Sequence, residues 1–341
     1  MTPELHKRLN GLIEDTNCTA EQRLDLLKEE IEKWNHSFSN EKPISIQESI
    51  ANNSIKYNEG FIDLDKISLT DQLFEKNISS FNKKELIVLA GRPSMGKTQF
   101  LVHLTNQMAV QHSVLYHTLD SSISELTHRY LANNTGIATY DLMKNLFDKS
   151  QLEIIYQAKD KLKNKKLYFS GITTQTCEEL CNYYQNLIQA YSLDVIVIDY
   201  IQLLSDKHPK NREQEVSSIM RNLKTLAKEE NVCILISSQL SRSVEYRGGE
   251  KKPILSDLRE SGAIEELADK VMFIYRPEYY QLLVDEEGVS TQNKVEIIVA
   301  KNTLFEPRTI QLERDSFFTG FTTLYNKYPN KLTWDFKVEG L

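Results

Sequence analysis

The stretch Glu85-Leu-Ile-Val-Leu-Ala-Gly-Arg-Pro-Ser-Met-Gly-Lys-Thr98 constrains this chain more than any other. Leu86 to Ala90 is an apolar run of strand length. Gly91 to Thr98 then match G-x-x-x-x-G-K-[ST] at every fixed position, and Phe100, Leu101, Leu104 and Met108 follow at helical spacing. A lone glycine turn needs none of that context. Strand, glycine loop and helix in this order predict a nucleotide-phosphate cradle built from Gly91, Arg92, Pro93, Ser94, Met95, Gly96, Lys97 and Thr98. Phosphate oxygens need several N–H donors converging at close range, and a helix N-terminus adds a favourable dipole. In this pattern Lys97 reaches the β- and γ-phosphates, and the Thr98 hydroxyl sits on Mg²⁺.

A second stretch completes the cradle. Asp194-Val-Ile-Val-Ile-Asp199 is an apolar strand ending in a carboxylate, the place for a residue that holds the magnesium shell beside Thr98. Val114 to Leu119 is another apolar strand, followed by Asp120. Asp120 is a candidate general base for water attack, and an aspartate there serves equally well as a helix N-cap. Residues 232–238 deliver Ser237, Ser238 and Gln239 to the same sheet edge, where Gln239 is placed to sense the γ-phosphate.

From Lys84 onward strands and helices alternate. Strands are predicted at 86–90, 113–119, 166–170, 194–199, 232–238, 271–275, 294–300 and 308–313. Helices are predicted near 97–111, 122–133, 149–163, 176–191, 213–230 and 263–268. Such alternation predicts an α/β fold with a mostly parallel central sheet and helices on both faces. The N-terminal region reads differently. Leu5, Leu9 and Leu12, then Ala20, Leu24, Leu27, Ile31 and Trp34, step along helix faces and predict a helical hairpin over 1–40. That hairpin either packs on itself or serves as a collar for a partner. Residues 41–60 read as a linker with a short isoleucine-rich helix, and 61–341 as the remaining domain.

Composition narrows the function classes. A net charge of −7 excludes a generic basic nucleic-acid binder, so any DNA contact has to come from a local patch. No apolar run approaches the roughly 20 residues of a membrane helix. The four cysteines show neither a disulfide framework nor zinc spacing. A cytoplasmic protein without a membrane partner is expected.

Several long stretches resemble the C-terminal motor domain of the DnaB family of replicative helicases. They are Gly91 to Thr98, Val195-Ile-Val-Ile-Asp-Tyr-Ile-Gln-Leu-Leu204, Asn211 to Val232, Ser238-Gln-Leu-Ser-Arg-Ser-Val-Glu245, Ser256-Asp-Leu-Arg-Glu-Ser-Gly-Ala-Ile-Glu265 and Phe273-Ile-Tyr-Arg276. The resemblance implies a RecA-like P-loop ATPase that uses ATP and Mg²⁺. It also implies a homo-hexamer or other ring drawing single-stranded DNA through its centre, with a loader or other replication partner. It assigns DNA contact to Lys210 and Arg212 after one strand, to Arg242 after another, and to Arg259, Glu260 and Gly262. Two positions depart from the family. Asp120 stands where the family carries glutamate, and Thr303 stands where it carries the arginine finger. Lys301 and Arg308 are then the nearby cations available to a neighbour's nucleotide. The expected function is an ATP-dependent DNA helicase or translocase. The alternative is an ATP-binding assembly or regulatory protein with slow or absent hydrolysis.

Overall fold

The computed structural model describes Leu26 and residues 65–324, apart from 72–73, 76–77, 79, 173–175, 207–210, 259–261, 286–287 and 304–305. The chain divides into two compact units, Met1–Asp63 and Leu64–Leu341. The expected hairpin over 1–40 and linker over 41–60 lie outside the described residues, Leu26 aside.

In the second unit β1 (Lys66–Ile67) and β2 (Phe81–Asn82) form a small antiparallel pair. The main body runs β3 (Leu86–Gly91), α1 (Lys97–Met108), β4 (Val114–Thr118), α2 (Ile123–Thr135), α3 (Thr139–Lys144), α4 (Lys149–Lys163), β5 (Leu167–Ser170) and α5 (Cys177–Tyr191). It continues with β6 (Val195–Asp199), α6 (Arg212–Glu229), β7 (Cys233–Gln239), α7 (Ser243–Tyr246), α8 (Gly262–Leu267), β8 (Lys270–Tyr275), β9 (Lys294–Asn302), β10 (Arg308–Arg314) and β11 (Phe321–Thr323). Every strand and helix expected from the alternation is present. The short α3, α7 and β11 are additions, each too brief to show a period.

Nine strands form one sheet in the order β11-β10-β9-β8-β3-β7-β6-β4-β5. Pairing is parallel from β8 across to β5 and antiparallel from β8 out to β11. The parallel strands are largely apolar because both faces are covered, with polar residues such as Asp199, Ser237 and Ser238 gathered toward their carboxyl ends. Alternation then sorts their side chains. Ile87, Leu89, Val197, Leu235 and Met272 pack with Phe100, Leu104 and Met108 of α1. Leu86, Val88, Ile196, Ile234 and Phe273 pack with Leu180 and Tyr184 of α5 and Ile219 and Leu223 of α6. At about 1.5–3 kcal/mol for each large apolar side chain taken fully out of water, these two layers hold the sheet rigid.

Helix starts follow the local chemistry. The side chains of Ser122, Asp148, Thr176 and Asn211 each accept an amide three residues on, and α2 stops at Gly136 with φ 72°. The cap of α2 is therefore Ser122, and Asp120 does not serve as its N-cap. The carboxyl ends of β3, β7, β6 and β4 come out side by side, in the register Gly91 opposite Gln239 and Thr118 opposite Asp199. That edge carries the candidate site.

Candidate nucleotide site

The loop between β3 and α1 rests on two glycines with separate reasons. At Gly91 a β-carbon would meet Ile274 Cγ2 at 2.7 Å and the Ile274 carbonyl at 3.2 Å, so the close approach of β8 requires glycine. Gly96 has φ 99°, a left-handed conformation that L side chains rarely adopt, and any β-carbon there would collide with the Phe318 ring. Gly96 offers no side-chain cap to α1, so the first-turn amides of the helix are left to an outside acceptor. Met95 is buried beneath the loop, while Pro93 and Ser94 are exposed at its tip.

Lys97 spans the loop from inside. Its ammonium donates to the carbonyls of Gly91 at 2.9 Å and Arg92 at 3.1 Å. Burial pushes its pKa down to about 8, a shift that the Asp199 carboxylate opposes and Arg92 adds to. The Arg92 side chain turns away from the cradle. It donates to Glu245 Oε1 at 2.7 and 2.8 Å and to the Leu240 carbonyl at 2.9 Å, tying the loop to the segment that follows β7.

Asp199, at the end of β6, is only 6 % exposed. Thr98 Oγ1 donates to its Oδ2 at 2.7 Å, Tyr116 OH donates to the same oxygen at 2.9 Å, and Ser237 Oγ donates to Oδ1. Thr98 and Asp199 thus meet as hard oxygen donors, a set that suits Mg²⁺ with its retained waters. Asp120 lies exposed two residues past β4. The turn that presents it is closed by the Leu119 amide on the Asp199 carbonyl (2.9 Å) and by Thr118 Oγ1, which donates to Ser121 O and accepts from Ser121 N. The backbone N–H of Gln239 donates to Gln202 Oε1 at 3.2 Å, and the Gln202 side chain also donates to Ser238 Oγ at 2.9 Å.

The remaining candidates are more scattered. Lys301 donates to the carbonyls of Glu265 at 2.6 Å and Glu266 at 3.0 Å, at the last turn of α8. Arg308 is exposed at the start of β10, and Thr303 follows the end of β9. Arg212 donates to the carbonyls of Gln202 (2.9 Å) and Leu204 (3.1 Å) and pairs with Glu215, so it braces the turn after β6. Arg242 and Gly262 are exposed, whereas Lys210, Arg259 and Glu260 lie outside the described residues.

Three features of the site were not read from the sequence. Tyr116 appears there only as one polar-tipped aromatic in the run Val114 to Leu119. The turn Asp315 to Gly320 brings Phe318 against Gly96, with the guanidinium carbons of Arg276 and Arg314 at 4.8 and 5.3 Å from its ring centre. Glu278 joins those arginines, accepting from Arg276 at 2.6 and 3.1 Å and from Arg314 at 3.0 Å, while Arg276 also donates to the Ser94 carbonyl at 3.1 Å. No local pattern marks any of these contacts.

Known proteins resemble this arrangement along most of its length. The profile of the DnaB-like helicase C-terminal domain matches residues 67–323. The replicative DNA helicase DnaB of Rickettsia bellii is 33% identical over 320 residues, covering 84% of this chain and 63% of that protein. The DnaB of Geobacillus stearothermophilus is 33% identical, with 92% and 68% covered. The chain thus spans a little under two thirds of the first relative's length. A solved DnaB-like replicative helicase, described with its interactions with primase, superposes with a TM-score of 0.75 at 25% identity, covering 94% of this chain and 75% of that one. A solved ATPase domain gives 0.74 at 27% identity, covering 83% of this chain and 100% of its own. With a phosphate loop, a strand-end aspartate bonded to it and a profile match that takes in the whole sheet, the chain belongs to the DnaB-like helicase C-terminal domain family.

Proposed function

We propose that the chain is an ATP-dependent DNA helicase or translocase of the DnaB type, moving on single-stranded DNA as a homo-hexamer or other ring. The observation that carries this reading is the bond from Thr98 to Asp199, which joins the phosphate loop to the strand-end carboxylate. In this reading the loop amides and Lys97 grip the β- and γ-phosphates, and Thr98 with Asp199 would hold Mg²⁺. When bound, the metal neutralises charge developing on the transferred phosphoryl group. Asp120, exposed at the neighbouring strand end, takes the proton of the attacking water. Gln239 passes the γ-phosphate's presence to the segment after β7. Lys301 or Arg308 supplies a cation to the adjoining subunit's nucleotide, with Arg308 preferred because a guanidinium matches phosphate oxygens better than a point charge.

DNA contact falls to Arg242, Lys210, Arg212 and Arg259 and to the backbone at Gly262, which hold phosphates without reading sequence, with Glu260 in the same element lying against the DNA backbone. A loader or other replication partner acts on the ring from outside. The test is ATP turnover with and without single-stranded DNA, together with strand separation on a forked duplex. DNA-stimulated turnover and unwinding are expected. Tight ATP binding and ring formation with background turnover would replace this reading with that of a regulatory or assembly protein, as the changes at Asp120 and Thr303 allow.

A further inference from the structure

Asp199 is held by more than the phosphate loop. A carboxylate offers about four acceptor sites, and three hydroxyl groups occupy this one: Thr98 and Tyr116 on Oδ2, and Ser237 on Oδ1. Strand alternation accounts for the meeting. Tyr116 stands opposite Val197, two residues before Asp199 on the same face, and Ser237 follows Ile236, the partner of Ile198 on the adjacent strand. Both side chains therefore point into the layer beneath α1, where Tyr116 is fully buried among apolar residues.

A phenol hydroxyl in that layer is costly unless it finds an acceptor, and the acceptor here is the carboxylate at the magnesium position. Its ring has little room to move. Tyr130 stands edge-on at 6.3 Å and is itself bonded to Thr105 at 2.5 Å. Ser237 is fully buried too, and the Gln202 bond to Ser238 fixes the next residue of its strand.

We infer that Tyr116 and Ser237 are positioning residues that clamp the Asp199 carboxylate, Tyr116 on the oxygen that Thr98 also bonds and Ser237 on the other, and so hold it in place beside Thr98 for a nucleotide-bound divalent cation. This rests on the magnesium–nucleotide reading above and adds to it the residues that set metal affinity. Groups that orient a metal-holding carboxylate typically contribute about 10–100-fold to metal affinity.

The test uses the full chain, Mn²⁺ as the probe metal and a non-hydrolysable ATP analogue. Mn²⁺ binding is followed by electron paramagnetic resonance, and analogue binding in EDTA by calorimetry. Tyr116→Phe removes one hydroxyl and keeps the ring. Ser237→Ala removes the other and serves if the first variant does not fold, as judged by circular dichroism. Each is expected to weaken Mn²⁺ binding in the presence of analogue by about tenfold or more, while analogue affinity in EDTA stays at the wild-type value. Unchanged Mn²⁺ affinity in both variants overturns the inference. So does an equal loss with and without metal, which marks a general structural role. A wild-type chain that binds analogue but gains nothing from Mn²⁺ overturns the magnesium reading itself, a result seen before any variant is made.

Discussion

Lys97 makes its two bonds to carbonyls of its own loop and carries a charge that burial disfavours. Removing it therefore separates binding from folding. Lys97→Ala is expected to weaken ATP binding by at least about tenfold, the value of one hydrogen bond to a charged group, without lowering the melting temperature. Calorimetric titration and thermal unfolding on the same sample check both halves. That the loop and the strand-end aspartate would meet could be read in advance because each sits in a contiguous, patterned string. Tyr116 and Ser237 could not be given their roles that way. Their bonds to Asp199 span 83 and 38 residues, and only the register of three strands brings them together. Asp120 shows the opposite case, in which either of two local roles suited the residue until Ser122 proved to be the helix cap.

Among the elements, the end of β8 and the β10–β11 turn act as one brace for the phosphate loop. Asp315 accepts from the amides of Phe317 (3.0 Å) and Thr319 (2.9 Å) and from Thr319 Oγ1 (2.8 Å), which fixes the turn carrying Phe318. Glu278 secures the other side. Burial pushes its carboxyl up, but the Asn293 amide and the two arginines outweigh that and hold the pKa down at about 2, against an ordinary 4.5. A depressed carboxyl contributes stability that is complete above about pH 4.5 and is lost as pH falls toward 2. Glu278→Gln should therefore flatten the fall in melting temperature across that window. An unchanged slope would mean that Glu278 does not fasten the brace. The long strands and helices were legible in the sequence because continuous apolar runs and 3.6-residue periods survive any tertiary context. The turn over the loop was not, since Asp315 to Gly320 shows no period and its meaning lies in what it touches.

For the whole molecule, the proposed binding of single-stranded DNA by a chain of net charge −7 requires its cations to be gathered in one place. Single-stranded DNA affinity should fall steeply with salt and require the assembled ring, as equilibrium binding at several salt concentrations will show. Arg308→Ala should lower turnover far more than ATP affinity, by about 10³-fold or more if it serves as the finger. Mixing Arg308→Ala with Lys97→Ala subunits should recover part of the rate, because each would complete a site the other lacks. An Arg308→Ala rate equal to wild type removes the residue from that role. One contact already described sets a further bound on such a machine. Arg92, inside the phosphate loop, holds Glu245 and the Leu240 carbonyl beyond β7, so the loop and the segment carrying Arg242, proposed above to touch DNA, share a single guanidinium. Free energy exchanged through a shared group is reciprocal: whatever factor ATP adds to DNA affinity, DNA must add to ATP affinity. Glu245→Gln should shrink both factors by the same ratio, leaving a protein that still binds each ligand but no longer keeps account of one while holding the other.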